Sequence, residues 1–283
     1  MEIDWAEHFR KNYAKTQFKS ETESKNFWDS FSKNYAKNVL KNERIEKNMN
    51  YFKNNFELDE NTSILEIGPG PGTYTIPLAK EVKEVTVIEQ STGMIDILKN
   101  RMEEEGLTNI NIINKRWDDV QLGNDFLNHD IVFSSYSLGV DDMEDSLKKM
   151  NDAAKKYCCI LTFGTRQAWK EIYNKIGEVL IENDENRKEF GLTYILIYNI
   201  LHQIGIYADV KITEKPFSQV FCDLDEAVSH YLERFKARGK IYPTKEQISK
   251  VKDILSTELT KTEDSFKFEK FSKEAMIYWK KEI

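Results

Sequence analysis

The stretch from Ser63 to Ala79, SILEIGPGPGTYTIPLA, constrains the rest of this chain more than any other. Ile64, Leu65 and Ile67 make an apolar burst of strand length, Gly68, Gly70 and Gly72 follow at alternate positions, and a helical pattern begins near Tyr74. A strand that leaves through glycines into a helix lets backbone approach a ligand with no Cβ in the way. The spacing is not the dinucleotide fingerprint G-x-G-x-x-G, whose third glycine would fall at Thr73, and no Lys-Ser/Thr pair follows to make a phosphate-cradling P-loop. A βα turn also carries glycines for packing alone, so the residues downstream decide.

Those residues point to a nucleoside. A second strand, Val85 to Ile88, ends in Glu89, twenty-one positions past Gly68. An acid at that place accepts from both ribose hydroxyls. Strand and helix patterns alternate, with strands near 63–67, 84–88, 110–114, 130–135 and 158–163. This predicts an α/β fold with a doubly wound, seven-stranded, mostly parallel sheet. A sixth strand follows at Ala208 to Thr213, and Phe266 to Phe271 with Ala275 to Lys280 reads as a terminal hairpin giving an antiparallel edge. Ligands in such sheets bind beyond the carboxyl ends of the strands, where Gly68–Gly72, Glu89, Lys115–Asp119 and Ser134–Leu138 converge.

With LEIGPGPGTYTIPLA, VTVIEQSTGMIDILK, NIINKRWDDV and DIVFSSYSLG on these elements, the chain resembles the class I (Rossmann-like) S-adenosylmethionine-dependent methyltransferases, small-molecule branch, over roughly residues 62 to 163. The resemblance implies S-adenosylmethionine as cofactor and S-adenosylhomocysteine as product. It places the backbone of Gly68, Gly70 and Gly72 against the methionyl part, Glu66 near its ammonium, Glu89 at the ribose and Met94 against the adenine, with Thr73, Gln90 and Ser134 also among the cofactor-binding residues. The third loop departs from the family: where many relatives carry Gly-Asp-Ala, this chain has Lys115, Arg116 and Trp117, then Asp118 and Asp119. Arginine accepts no hydrogen bond. Either Asp118 takes the adenine contact, or Trp117 walls the base and the backbone reads it.

The fourth loop, Ser134-Ser135-Tyr136-Ser137, is neither the Asn/Asp-Pro-Pro-Tyr/Phe of enzymes that methylate amines of nucleic acids or glutamine nor a Pro-Cys nucleophile, so those substrate classes drop out on motif grounds. Helices rich in aromatic residues fill 1–56, which in small-molecule methyltransferases often act as a lid, so Tyr13, Trp28, Tyr35, Tyr136 and His202 are candidate substrate-pocket residues. His202 lies on an apolar helix pattern, where a hydrogen-bonded core histidine is the simpler reading. Residues 57–283 read as one methyltransferase domain with helical cap insertions at about 166–206 and 222–262.

The balance of charge is acidic, net −7, without the clustered basic excess of a nucleic-acid groove. The partner expected is therefore a small-molecule methyl acceptor and not a nucleic acid. Cys158 and Cys159 are adjacent in an apolar strand pattern and Cys222 stands apart, an odd set that fits a reducing cytoplasm better than a disulfide framework. The scattered histidines predict no metal site, and no run reaches the ~20 apolar residues of a membrane span. The reading is methyl transfer by in-line displacement with no base assigned. The alternatives are a catalytically inactive regulatory module that binds the same cofactor and, more remotely, a nucleotide-dependent oxidoreductase. Acceptor atom and oligomeric state stay open.

Overall fold

A computed structural model describes residues 3–12, 20–40, 44–165, 170–181, 193–239 and 242–282. Its chain divides into two compact units. The first comprises Met1–Thr162, Tyr194–Lys211 and Ala275–Ile283, and the second Phe163–Thr193 and Ile212–Glu274.

The first unit is built on β1 (Ser63–Ile67), β2 (Glu84–Ile88), β3 (Ile110–Ile113), β4 (His129–Ser135) and β5 (Ala154–Phe163), all parallel. Ile64 pairs with Val85 on one side and Ile131 on the other, so β1 is central. Its five residues are all buried, as a strand covered on both faces requires. The whole sheet runs β3-β2-β1-β4-β5-β8-β6, the last two being the long strands β6 (Asp209–Phe221) and β8 (Phe266–Lys280). The order reverses between β1 and β4, and in α/β sheets the ligand crevice opens at such a point. Phe133 is wholly buried there, edge-on to Phe52 at 4.8 Å and Tyr74 at 5.3 Å.

Helices α1 (Trp5–Asn12), α2 (Glu21–Val39) and α3 (Arg44–Asn55) come first, then α4 (Thr75–Ala79), α5 (Thr92–Glu104) and α6 (Met143–Ala153) between the strands. The second unit holds α7 (Lys170–Leu180), α9 (Leu224–Gly239) and α10 (Lys245–Glu258) around a core of Ile172, Ile176, Tyr231, Val251, Leu255 and Phe268. Asp223 caps α9 by accepting from the Glu226 amide, as its position after β6 predicts.

Two expectations change. The terminal hairpin at 266–280 is one continuous strand, in keeping with the lack of Gly, Pro, Asn or Asp in Ser272-Lys273-Glu274; the turn lies earlier, at Thr262–Ser265, and pairs β7 (Thr260–Lys261) with β8. The expected insertion at 166–206 is divided, since α8 (Tyr194–Gln203) groups with the first unit and packs against α1 and α6 through a face that buries Leu196, Ile197, Ile200 and Leu201.

Candidate functional site

The glycine turn after β1 uses its three glycines differently. All have positive φ, a region that L side chains rarely adopt. At Gly68 a Cβ would lie 2.3 Å from the Cβ of Ser137, and at Gly72 it would lie 2.5 Å from Leu98. Those two glycines answer to packing. At Gly70 a Cβ would meet nothing nearer than Tyr35 at 3.8 Å and Met94 at 3.9 Å, so this peptide borders a space walled by those side chains. The Gly68 amide donates to Ile88 O at 2.9 Å, and Arg101 Nη1 donates to Pro71 O and Gly72 O at 2.8 Å each, fixing the turn to β2 and α5.

Glu89, at the tip of β2, meets that turn directly. Its Oε2 accepts from the Gly70 amide at 3.1 Å and its Oε1 from the Ser91 amide at 2.9 Å. A carboxylate has about four acceptor sites, so two remain for a diol. Asn114 Nδ2 donates to the backbone oxygens of Glu89 (2.8 Å) and Gln90 (3.1 Å), pinning the loop from β3. Burial pushes the Glu89 carboxyl above its ordinary range against the pull of those amides. Glu66 is 1% exposed and accepts from Thr75 Oγ1 at 2.6 Å. Burial, reinforced by the charge of Glu89, pushes its pKa up to about 7. Two buried acids at the rim of a glycine turn fit a ligand that carries an ammonium and a ribose. Thr73, half-buried, belongs to the same turn.

Helix α2 lies along all of this. Asp29 Oδ1 accepts from Ser91 Oγ at 2.7 Å, the Gly93 amide at 3.0 Å and Thr92 Oγ1 at 3.3 Å, capping α5 from outside while Ser91 Oγ caps it from within. Gly93 has to be glycine, since a Cβ would stand 2.9 Å from Asp29 O. Ser24 meets Gln90, Glu21 pairs with Arg116, and Tyr35 reaches Gly70. Trp28 is half-buried and edge-on to Tyr35 at 5.6 Å. Asp29, Arg101 and Asn114 are not among the residues singled out from the sequence. Asp29 meets Ser91 from 62 positions away, so like the other two it carries no local mark.

The third loop is tied elsewhere. Trp117 is buried with its Nε1 donating to Ser146 on α6 at 2.9 Å and the Lys149 ammonium 5.2 Å from its ring. Arg116 pairs with Glu21, with Asp118 at 2.9 Å and with Asp141 at 3.2 Å. Asp118 Oδ1 also accepts from the Asp141 amide at 3.2 Å. In the fourth loop buried Ser134 shares its hydroxyl with Ser137 at 2.8 Å, Ser137 reaches Ile67 O, and Tyr136, half-buried, has φ 56° with its amide donating to Leu161 O at 2.9 Å. A tyrosine there stores strain of about 1 kcal/mol.

The structure thus gathers Gly70, Glu89, Gln90, Met94 and Tyr35 at one place, with Glu66 beneath and Tyr136 on the neighbouring strand end. Trp117 faces α6 instead. His202 is exposed on α8, edge-on to Tyr207 at 5.5 Å, so a core position is not where it lies. Tyr13 falls outside the described residues. Asp142 caps α6 and pairs with Arg10 at 2.6 Å.

Comparison with known proteins adds the class. The family described as "Ribosomal RNA adenine dimethylase" matches residues 28–155. An uncharacterised protein of Haemophilus influenzae is 33% identical over 162 residues, 56% of each chain. A "probable ribosomal RNA small subunit methyltransferase A" of Methanosphaera stadtmanae is 44% identical over 68 residues, 24% of this chain and 25% of that one. The chain thus spans about half the length of the first of these relatives and a quarter of the second. Among solved structures, a putative methyltransferase from Bacillus halodurans aligns with TM-score 0.53 at 12% identity, covering 84% of this chain and all of that one.

The chain has the Rossmann-like methyltransferase fold. The enzyme class and the S-adenosylmethionine cofactor read from the sequence agree with these matches. The expected partner does not: a small-molecule acceptor with no nucleic acid is overturned by the family match and the Methanosphaera relative, both described by ribosomal RNA. Net charge misled because it averages over the whole chain, whereas an RNA contact depends on a local surface. Among the described residues no helix is long and apolar enough to cross a membrane.

Proposed function

We propose that this chain is an S-adenosylmethionine-dependent methyltransferase whose acceptor is a base of RNA, in a cytoplasmic setting. One observation carries the reading: the segment that matches the ribosomal RNA adenine dimethylase family, 28–155, is the segment that supplies Trp28–Val39 of α2 and the four strand-end loops of the site.

When bound, the cofactor supplies a methyl group on a positively charged sulfur, already activated for displacement. The protein's task is orientation, which can be worth up to about 7–11 kcal/mol. The Gly68–Gly72 backbone and Glu66 hold the methionyl end, and Glu89 holds the ribose diol through the two acceptor sites its amide partners leave. Gln90 and Met94 line the base, with Trp117, Asp118 and Ser134 in the surrounding loops. Helices within residues 1–56 form the lid, and Trp28 and Tyr35 exclude water beneath it. Tyr136 stands where amino-methylating enzymes carry their Asn/Asp-Pro-Pro-Tyr/Phe and supplies an aromatic face on which an unstacked base can lie.

The test is transfer of a radiolabelled methyl group from S-adenosylmethionine to ribosomal RNA transcripts, followed by digestion to nucleosides. Label in a methylated nucleoside, lost with Glu89→Ala, is the expected result. RNA that stays unlabelled while the protein binds the cofactor would overturn the acceptor and leave a binding module.

A further inference from the structure

The third loop leaves a vacancy in the chemistry of adenine recognition that the second loop is built to fill. An exocyclic amine is a donor and needs an acceptor. Arg116 and the Trp117 indole have none to offer. Asp118 keeps acceptor sites beyond Arg116 Nη2 on Oδ2 and the Asp141 amide on Oδ1, but neither of its oxygens is left without a partner. Gln90 is different. It follows Glu89 directly, its backbone oxygen is pinned by Asn114, and its Nε2 lies 3.3 Å from Ser24 Oγ on α2. Its Oε1 is buried with no hydrogen-bond partner. Buried polar atoms in native proteins are paired, so an orphan acceptor beside a ligand site marks a donor that arrives with the ligand.

We infer that Gln90 Oε1 accepts from the adenine amine of the cofactor and sets the preference for adenine over hypoxanthine. This rests on the S-adenosylmethionine reading and names the residue that reads its base. Ser24 Oγ on α2 accepts from Gln90 Nε2, which leaves Oε1 as the end of the amide offered to the base. The lid helix then takes part in base selection as well as in covering the site.

Calorimetric titration with S-adenosylhomocysteine and with its hypoxanthine analogue, in which a carbonyl replaces the amine, decides the matter without any turnover. The protein should prefer the adenine compound by about tenfold or more, the scale of one buried hydrogen bond gained against two acceptors opposed. Gln90→Leu should weaken S-adenosylhomocysteine binding by a similar factor and bring the ratio near one, while Gln90→Glu, which keeps an acceptor, should retain the preference. Unmutated protein that binds both compounds equally overturns the inference without any variant. A Gln90→Leu protein that binds S-adenosylhomocysteine with the preference intact also overturns it, leaving the methyltransferase reading in place. Binding of neither compound by the unmutated protein overturns both.

Discussion

The loops after β1 and β2 and the loop after β3 border the same crevice but are built on opposite plans. In the first two, buried acids accept from short donors close by: the Gly70 and Ser91 amides on Glu89, and the Thr75 hydroxyl on Glu66. The acids keep acceptor capacity for a ligand. In the third, side chains saturate one another, with Arg116 on three carboxylates and the Trp117 N–H on Ser146. The difference teaches that a site made of backbone is fixed by a short motif, whereas a loop made of long side chains takes its role from partners far along the chain.

The sharpest way to break that contrast is to add one methyl group at two glycines. Gly68→Ala drives a Cβ into Ser137 at positive φ, and should destabilise the protein by about 3–5 kcal/mol in denaturant titration. Gly70→Ala meets nothing within 3.8 Å, so it should cost about 1–2 kcal/mol for its backbone while cofactor affinity falls at least about tenfold. Equal stability losses, with affinity untouched at Gly70, would mean that all three glycines are for packing.

The buried acid beneath the turn gives the next largest effect. Glu66 titrates near 7 when folded, against an ordinary 4.5. Its contribution to stability is therefore complete below about pH 4.5 and is lost as the pH climbs through 7, a change of about 3 kcal/mol. The stability of the protein relative to Glu66→Gln should fall by that order between pH 5 and 8. A flat difference across that window would mean that the acid is ionised throughout.

Smaller effects belong to the third loop. Arg116→Ala removes the tie between α2, Asp118 and Asp141 and should cost about 1–2 kcal/mol, with cofactor affinity changing less than about threefold. Trp117→Phe loses one hydrogen bond to Ser146, about 1 kcal/mol, with affinity again unmoved. A large affinity loss in either variant would make the third loop part of the cofactor site and erase the contrast.

The same contrast explains what the sequence could tell. β1 and β2 fall at 63–67 and 84–88 as their apolar runs predict, and the glycines and Glu89 meet because strand pairing puts Ile67 beside Ile88. β5 begins earlier than its apolar run, at Ala154, because Lys155 and Lys156 point to solvent along an otherwise buried strand. Trp117 and Asp118 had their places decided by Ser146 and Asp141, more than twenty residues downstream, which no local pattern reports. The acceptor was read wrongly from total charge, a property of the whole surface and not of the crevice, and from the absence of Asn/Asp-Pro-Pro-Tyr/Phe at Ser134–Ser137.

Calorimetric titration of S-adenosylhomocysteine into the protein and into Glu89→Ala tests the central claim, that the glycine turn and the acid of β2 hold one nucleoside between them. Loss of a charged acceptor for two hydroxyls should weaken binding about a hundredfold, with a loss of stability of about 1–3 kcal/mol from the Gly70 and Ser91 amides left without their acceptor. Binding of equal strength in the two proteins would contradict it.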